Sequence, residues 1–91
     1  MNIELRFFAN FREAVGQKEI GWAVDDGATV GSVLHDVEAE YPEVDIFDED
    51  GEVREFLSIM KNGRDITYIE GPDTPLDDDD TISVFPPVAG G

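Results

Sequence analysis

The 91-residue sequence contains no cysteine, which excludes disulfide bonds, cysteine-ligated zinc, iron–sulfur clusters and thiol catalysis by the chain's own residues. No apolar run approaches the roughly 20 residues that a membrane-spanning helix needs. The first residues alternate like a β-strand and lack the positively charged region of a signal peptide. These absences predict a cytoplasmic protein without a membrane partner.

Basic residues are also scarce: six lysines and arginines stand against 22 aspartates and glutamates, a formal net charge of −16. Nucleic-acid binding depends on basic side chains that release counterions from phosphates, so no DNA or RNA partner is expected. The acidic residues are spread from Glu4 to Asp80. This spread favours adaptation to high salt over an acidic face built for one basic partner. So much charge also predicts that the chain alone is a monomer.

Side chains that could carry chemistry are few. His35 is the only histidine, it is predicted to lie on a helix surface, and no serine has a matched base at a recognisable spacing. The acidic run that ends at Gly51 resembles part of a calcium loop, but its first and last ligand positions would be Ile46 and Leu57, which carry no oxygen. No glycine-rich phosphate loop is present. We therefore expect no catalyst, no metal and no bound cofactor in this chain.

The hydrophobic pattern predicts several strands and one main helix. The predicted strands, in chain order, cover residues 3–8, 18–24, 56–61, 65–69 and 81–85. The helix is predicted to begin at Thr29, whose hydroxyl can cap it, and to end at Tyr41, because Pro42 disfavours helical geometry in the residue before it. One apolar helix face must be buried on one sheet. The element order therefore predicts an α+β roll of the β-grasp kind, with a mixed sheet of four to five strands packed on one main helix.

Three shorter features complete this prediction. Residues 11–15 can form one helical turn, which Gly16 stops. Ile46 and Phe47 are predicted to reach the core from an otherwise acidic loop. Asn62-Gly63 is a strong signal for a two-residue hairpin turn. Lys61, which directly precedes this turn, is therefore predicted to be exposed.

The last predicted strand is followed by Pro86-Pro87 and then by four small residues that end in Gly90 and Gly91. We predict a β-grasp domain over residues 1–85 and a flexible tail over 86–91. The prolines fix two φ angles and so lower the entropy that the tail loses when it docks. An unhindered terminal carboxylate suits activation by a partner, because ATP could convert it into an acyl adenylate that sulfur or a lysine amine then attacks. The residues alone also allow a frayed end without a function.

Two segments resemble known proteins: LRFFANFREAVG at 5–16 and PLDDDDTISVFPPVAGG at 75–91. They are similar to the small sulfur-carrier subunit of molybdopterin synthase and to the archaeal ubiquitin-like small modifier proteins. The resemblance implies a β-grasp fold with Gly91 as the functional residue. It also implies that a ubiquitin-activating-like enzyme adenylates the carboxylate of Gly91, so that ATP is used by the partner enzyme and not held by this chain.

The resemblance implies further roles for particular residues. The activating enzyme would recognise the tail, where the candidate contacts are Pro86, Pro87, Val88 and Gly90. It would also dock on the sheet near the tail, where the candidate surface residues are Leu57, Ile59, Met60 and Phe85. Lys61 is a candidate acceptor for another copy of the chain.

Three functions remain open. The favoured one is a ubiquitin-like modifier that is joined by an isopeptide bond to lysines of target proteins and also carries sulfur as a terminal thiocarboxylate. The acidity and low lysine content fit a salt-adapted archaeal member of this kind. The second is a dedicated sulfur-carrier subunit, paired with the large subunit of molybdopterin synthase and never conjugated. The third is a non-conjugating β-grasp interaction module with an idle tail.

Overall fold

Five β-strands and two α-helices form the part of the chain that the structure, a computed structural model, describes: residues 1–87. The predicted tail residues from Val88 to Gly91 lie outside the described residues. The strands are β1 (Asn2–Phe7), β2 (Glu19–Ala23), β3 (Ser58–Lys61), β4 (Arg64–Asp65) and β5 (Thr81–Phe85). The helices are α1 (Ala9–Val15) and α2 (Val30–Glu40), and two short 3₁₀ turns cover Ile66–Tyr68 and Gly71–Asp73. None of the helices within residues 1–87 is long and apolar enough to cross a membrane.

The five strands form one mixed sheet in the order β2-β1-β5-β3-β4. The central strands β1 and β5 run parallel, while the other neighbouring strands run antiparallel. Helix α2 buries its apolar stripe in the core, as its repeat of valine and leucine predicts. The architecture confirms the predicted α+β fold of the β-grasp kind.

Alternation along the strands decides which residues enter the core. In β1, Ile3, Leu5 and Phe7 are buried, and the parallel register sets Leu5 beside Ile82 and Phe7 beside Val84 on β5. Each such side chain contributes about 1.5–3 kcal/mol when it is fully removed from water. The predicted plugs from the acidic loop are confirmed, since the residues at 46 and 47 are both buried.

The start of α2 is fixed by a reciprocal pair of hydrogen bonds. The backbone N–H of Ser32 donates to Oγ1 of Thr29 at 3.2 Å, and the backbone N–H of Thr29 donates to Oγ of Ser32 at 3.0 Å. The helix ends at Glu40, directly before Tyr41. Both predicted ends of α2 are thus confirmed. Gly16, with φ of 86°, ends α1 in the left-handed conformation that glycine adopts at little cost.

The predicted return strand over residues 65–69 is wrong, because β4 ends at Asp65. Oδ1 of Asp65 accepts hydrogen bonds from the backbone N–H of Thr67 at 2.9 Å and from its hydroxyl at 2.7 Å. These bonds start a 3₁₀ turn and take the chain out of the sheet. The hairpin turn itself is confirmed, with φ of 52° at Asn62 and 83° at Gly63.

Candidate functional site at the root of the tail

Strand β5 leads to the predicted tail from the centre of the sheet. It lies between β1 and β3, so both of its edges are hydrogen-bonded. Its last residue, Phe85, is aligned with Ser58 on β3. Pro86, which follows, is buried, whereas Pro87 is exposed. The direction in which the chain leaves the sheet is therefore set by two neighbouring strands and by a buried proline with a fixed φ.

Two aromatic rings stack beside this exit. The rings of Phe8 and Phe85 have centroids 4.2 Å apart and planes inclined by 12°. Phe8 follows the inward-facing Phe7, so alternation sends its side chain to the face of the sheet opposite α2. Ala9 then turns the chain into α1 with φ of 52°. A left-handed alanine costs about 1 kcal/mol, and here it allows α1 to begin directly after the stacked ring.

Two grooves meet at Pro87. The larger one, of about 910 Å³, is lined by Phe8, Ala9, Asn10, Glu13, Phe85, Pro86 and Pro87. The smaller one, of about 170 Å³, is lined by Asn10, Phe11, Asp45, Arg54, Phe56, Leu57 and Pro87. Phe56 is 76% exposed, which is unusual for so large an apolar side chain. An exposed apolar surface beside the predicted tail is typical of an interaction site.

The predicted partner surface is only partly where the sequence places it. Phe85 and Met60 are half-buried on the face of the sheet opposite α2, and Leu57 is half-buried beside Pro87. The prediction for Ile59 is wrong, because its side chain is 2% exposed and faces the core beside Val84. Strand alternation explains the difference, since neighbouring residues of β3 must point to opposite faces.

Sequence reasoning missed two aromatic residues of this surface, the half-buried Phe8 and the exposed Phe56. A signal for Phe8 existed, because period two places it on the same face of β1 as Glu4 and Arg6. A phenylalanine that continues a polar face is worth examining as a contact residue. Phe56 is the first residue of the predicted strand over 56–61, but β3 begins at Ser58, so Phe56 lies in the preceding loop, where strand alternation does not decide its exposure.

The predicted exposure of Lys61 is also wrong. Its side chain is 16% exposed, and its Nζ donates a hydrogen bond to the carbonyl oxygen of Pro75 at 2.9 Å. The same Nζ lies 3.5 Å from Oδ2 of Asp80. Period two puts Lys61 on the core side of β3, the side of Ile59, so its chain runs under the loop that precedes β5. The role of Lys61 as an acceptor stays a prediction. Its amine would have to leave these contacts before it could react.

Asp80 organises the start of β5. Its Oδ1 accepts a hydrogen bond from Nδ2 of Asn62 at 2.8 Å, and its Oδ2 accepts one from the backbone N–H of Asp77 at 2.8 Å. Burial alone would raise the pKa of Asp80, but these hydrogen bonds and the charge of Lys61 outweigh it and lower the pKa. Asn62 in turn accepts from the backbone N–H of Thr81 at 2.9 Å. Polar contacts therefore fix the beginning of β5, and the aromatic stack fixes its end.

The remaining charged and titratable side chains make contacts within the fold. Nε of Arg6 donates to Oε1 of Glu4 at 2.9 Å and lies 3.4 Å from Oε1 of Glu19, and this hydrogen bond and the two negative charges raise the pKa of Arg6. His35 is exposed and stacks on a phenylalanine ring at 3.7 Å. Oδ1 of Asp48, in the acidic loop, accepts two backbone N–H groups of that same loop. Within residues 1–87 no group of three or more histidine or carboxylate side chains could hold a metal ion.

These features define a ubiquitin-like β-grasp protein with an apolar surface around the root of its tail. A family profile described as the ThiS family matches residues 5–91, and the chain belongs to this family.

Relatives and solved structures agree with this assignment. The chain is 58% identical over 92 residues to small archaeal modifier protein 3 of Haloferax volcanii, and the match covers 100% of both chains. It is 32% identical over 80 residues to the sulfur carrier protein CysO of Mycobacterium tuberculosis, with 84% of this chain and 83% of CysO covered. The crystal structure of SAMP1 from Haloferax volcanii matches with a TM-score of 0.87 and 28% identity over 100% of both chains. The family resemblance and the fold are thereby confirmed.

Proposed function

We propose that this chain is a ubiquitin-like modifier whose terminal glycine, Gly91, is joined to lysines of target proteins, and that it also carries sulfur as a terminal thiocarboxylate. The observation that carries the proposal is the full-length identity of 58% with small archaeal modifier protein 3. A relative with modifier in its name that matches the whole chain supports conjugation. The match to a sulfur carrier protein supports the second fate.

The chemistry needs a partner that holds ATP. The carboxylate of Gly91 attacks the α-phosphate of ATP and releases pyrophosphate, which leaves an acyl adenylate on the chain. A lysine ε-amine that attacks this carbonyl forms the isopeptide bond and releases AMP and a proton. A hydrosulfide that attacks the same carbonyl releases AMP and leaves the thiocarboxylate. The chain itself is the substrate of these steps and not the catalyst.

The geometry of the tail root supports this role. The partner must bring the carboxylate of Gly91 to its nucleotide, so it needs a fixed reference surface near the tail. Phe8, Phe85 and Phe56 supply apolar contacts around Pro87, and aromatic residues are the side chains that most often dominate protein interfaces. Because Pro86 is buried, the tail starts from a defined point, and less entropy is lost when it docks.

The acidic composition fits the same proposal. The modifier relative comes from Haloferax volcanii, a halophilic source that matches the net charge of −16. High salt screens repulsion among carboxylates to roughly 3 Å at 1 M. The acidity as a whole therefore fits the high salt in which the chain is proposed to work.

A dedicated sulfur carrier without conjugation is the second candidate, and the similarity to CysO favours it. The two candidates differ in one product. Both require adenylation of Gly91 and both give a thiocarboxylate, but only the modifier gives covalent adducts with other proteins.

The test is an immunoblot of an N-terminally tagged chain expressed in a salt-loving archaeal host and run under reducing, denaturing conditions. Three forms are compared: the chain as given, a chain without Gly90-Gly91, and a control chain with one alanine added after Gly91. We expect heavier bands only from the first form, because the other two lack the terminal glycine carboxylate. The thiocarboxylate is sought in the intact mass as one oxygen replaced by sulfur.

Single bands from all three forms, together with a thiocarboxylate, would favour the dedicated carrier. Single bands without a thiocarboxylate would favour the third function, a non-conjugating interaction module whose tail is idle. Heavier bands from the form without the two glycines would show that attachment does not use the tail.

A further inference from the structure

The sheet has one long free edge, and it is formed by β2. The opposite edge strand, β4, has only two residues, whereas β2 has five and pairs with β1 along its whole length. At the ends of this pairing the carbonyl of Lys18 accepts from the N–H of Phe7, and the N–H of Val24 donates to Met1. Backbone groups in an antiparallel pair alternate between the two sides. The even-numbered residues of β2 therefore face β1, and Glu19, Gly21 and Ala23 direct their N–H and C=O groups outward.

This edge lacks the usual protection. Within residues 1–87, no hydrogen bond from outside the β1–β2 ladder reaches the backbone of Glu19, Gly21 or Ala23. Natural proteins guard an edge strand with lysine, proline, a bulge or a covering loop. Strand β2 contains neither lysine nor proline, and its register with β1 runs without a bulge. Its charged groups lie only at its start, at Glu19 and the preceding Lys18. Gly21, at its centre, has no neighbouring atom within 4 Å of the position that a Cβ would take.

An acidic groove continues from the end of β2 toward α2. It has a volume of about 390 Å³, and its lining residues are Ala23, Val24, Asp25, Asp26, Gly27, Ala28, Ser32, Val33 and Asp36. Three of these are carboxylates and none is basic. On the same side of β2, Ile20 and Trp22 are only half-buried, so apolar surface borders the free backbone groups.

We propose that this β2-edge surface, meaning the outward backbone of β2 with the adjoining acidic groove, binds an extended basic segment of a partner protein by adding it to the sheet as a further strand. The outward N–H and C=O groups would bind the segment's backbone. Alternate apolar side chains of the segment cover Ile20 and Trp22. Its lysine or arginine residues lie beside Asp25, Asp26 and Asp36.

Charge decides between this occupant and a second copy of the chain. Two copies that paired through β2 would bring together two proteins of net charge −16, each with acidic residues at the end of the shared strand. At low salt such a pair repels itself, whereas a basic segment is attracted. The surface is also separate from the tail root, because β1 lies between β2 and β5. The inference therefore does not depend on the proposed function.

The experiment is an NMR titration of the ¹⁵N-labelled full chain with a synthetic peptide in which valine alternates with threonine and two arginines end the sequence. We expect the amide signals of Glu19, Gly21 and Ala23 to move and their hydrogen exchange to slow. A matched peptide that ends in two glutamates should bind about tenfold more weakly, since it loses the charge pairs and adds repulsion.

Two protein variants separate backbone pairing from charge. Gly21→Pro removes an outward N–H without removing a bond to β1, and it should weaken binding about tenfold or more. The control Gly21→Ala keeps the N–H and should bind within about twofold of the unchanged chain. If the proline variant fails to fold, the double variant Asp25→Asn/Asp26→Asn carries the test, with an expected loss of about threefold to tenfold and a weaker salt dependence.

Three results would overturn the proposal. The first is no movement at the β2 amides with the peptide in millimolar excess. The second is movement confined to the grooves at the tail root. The third is movement of the β2 signals with protein concentration alone, which would assign the edge to a second copy of the chain.

Discussion

Phe8 and Phe85 stack with ring centroids 4.2 Å apart, and this contact joins the end of β1 to the end of β5 on the face of the sheet opposite α2. The two residues are 77 positions apart in the sequence, and the parallel pairing of their strands brings them to the same end of the sheet. Because Phe85 directly precedes Pro86, the stack lies where the predicted tail begins. The two rings therefore join the strands and also line the groove at the tail root.

We expect Phe8→Ala and Phe85→Ala to harm activation more than stability. Each loses a partly exposed ring, and the stack itself is worth about 0.5–1.5 kcal/mol. Loss of an aromatic hot spot in an interface costs about 2 kcal/mol or more of binding, so the KM for the chain in ATP–pyrophosphate exchange by its activating enzyme should rise about tenfold or more.

Tyr68→Ala is the matched control for these variants. Tyr68 is 78% exposed and follows the edge strand β4, which β3 separates from β5, so the variant removes an exposed aromatic ring away from the tail root. The KM of the activating enzyme for this variant should stay within about twofold of that for the unchanged chain. Equal losses in all three variants would mean that the stack is not a contact of the activating enzyme.

The sequence predicted those parts of the fold that depend on local periodicity. The cap at Thr29, the stop at Gly16 and the inward side chains of β5 follow from patterns within a few residues. The exposed position of Lys61 was inferred from its neighbouring turn, but its amine is held by Pro75, which is 14 residues away. No local pattern contains that contact.

The tail-root surface shows the same limit. Phe85, Met60 and Leu57 could be proposed from the resemblance, but exposure depends on which face each side chain takes. Ile59 takes the core face, and Phe8 meets Phe85 only through the parallel pairing of distant strands. The predicted return strand over residues 65–69 is wrong for a related reason, because a side-chain hydrogen bond of Asp65 competes with the hydrogen bonds between the strands.

The two lysines should react at different rates with an amine-reactive reagent. Lys18 is exposed, whereas the Nζ of Lys61 donates to a carbonyl oxygen and lies beside a carboxylate. We expect acetylation under native conditions, followed by peptide mass spectrometry, to label Lys18 at least about fivefold faster. In denaturant the two rates should converge. Equal native rates would show that the contacts of Lys61 are open most of the time.

Acid should destabilise the protein partly through Asp80. Burial alone would raise its pKa, but hydrogen bonds and the charge of Lys61 lower it in the folded state. The carboxylate therefore stabilises the fold above its unfolded pKa of about 3.9, and this contribution is lost as the pH falls through the lower folded value.

In Asp80→Asn we expect the free energy of unfolding at pH 7 to fall by about 1–3 kcal/mol, because Asn62, Lys61 and the N–H of Asp77 lose a charged acceptor. Its decline with acid should also become shallower below about pH 4. Urea unfolding at several pH values measures both effects. Glu49→Gln, which removes the same charge from an exposed loop, should stay within about 0.5 kcal/mol. An unchanged slope in Asp80→Asn would assign the acid sensitivity to other groups.

Gly31→Ala should destabilise the fold although alanine is the better helix former. A Cβ at residue 31 would lie 2.9 Å from both the Cβ and the carbonyl oxygen of Pro72, and the oxygen belongs to the backbone. Helix propensity favours alanine by about 1 kcal/mol, while overpacking costs about 1–3 kcal/mol. We expect a net loss, measured by thermal unfolding, which Pro72→Gly recovers in part. A gain in stability would show that the 3₁₀ turn moves away freely.

Salt should raise the melting temperature of this chain. At a net charge of −16 the folded state repels itself, and screening shortens from about 10 Å at 0.1 M to about 3 Å at 1 M salt. A gain of about 1 kcal/mol between dilute buffer and molar KCl corresponds to roughly 4–8 °C for a domain of this size. The triple variant Glu43→Gln/Glu49→Gln/Glu55→Gln removes three exposed charges. Its melting temperature should rise less with salt. Equal rises in both proteins would point to a general effect of salt on hydration, and an unchanged melting temperature would contradict adaptation to high salt.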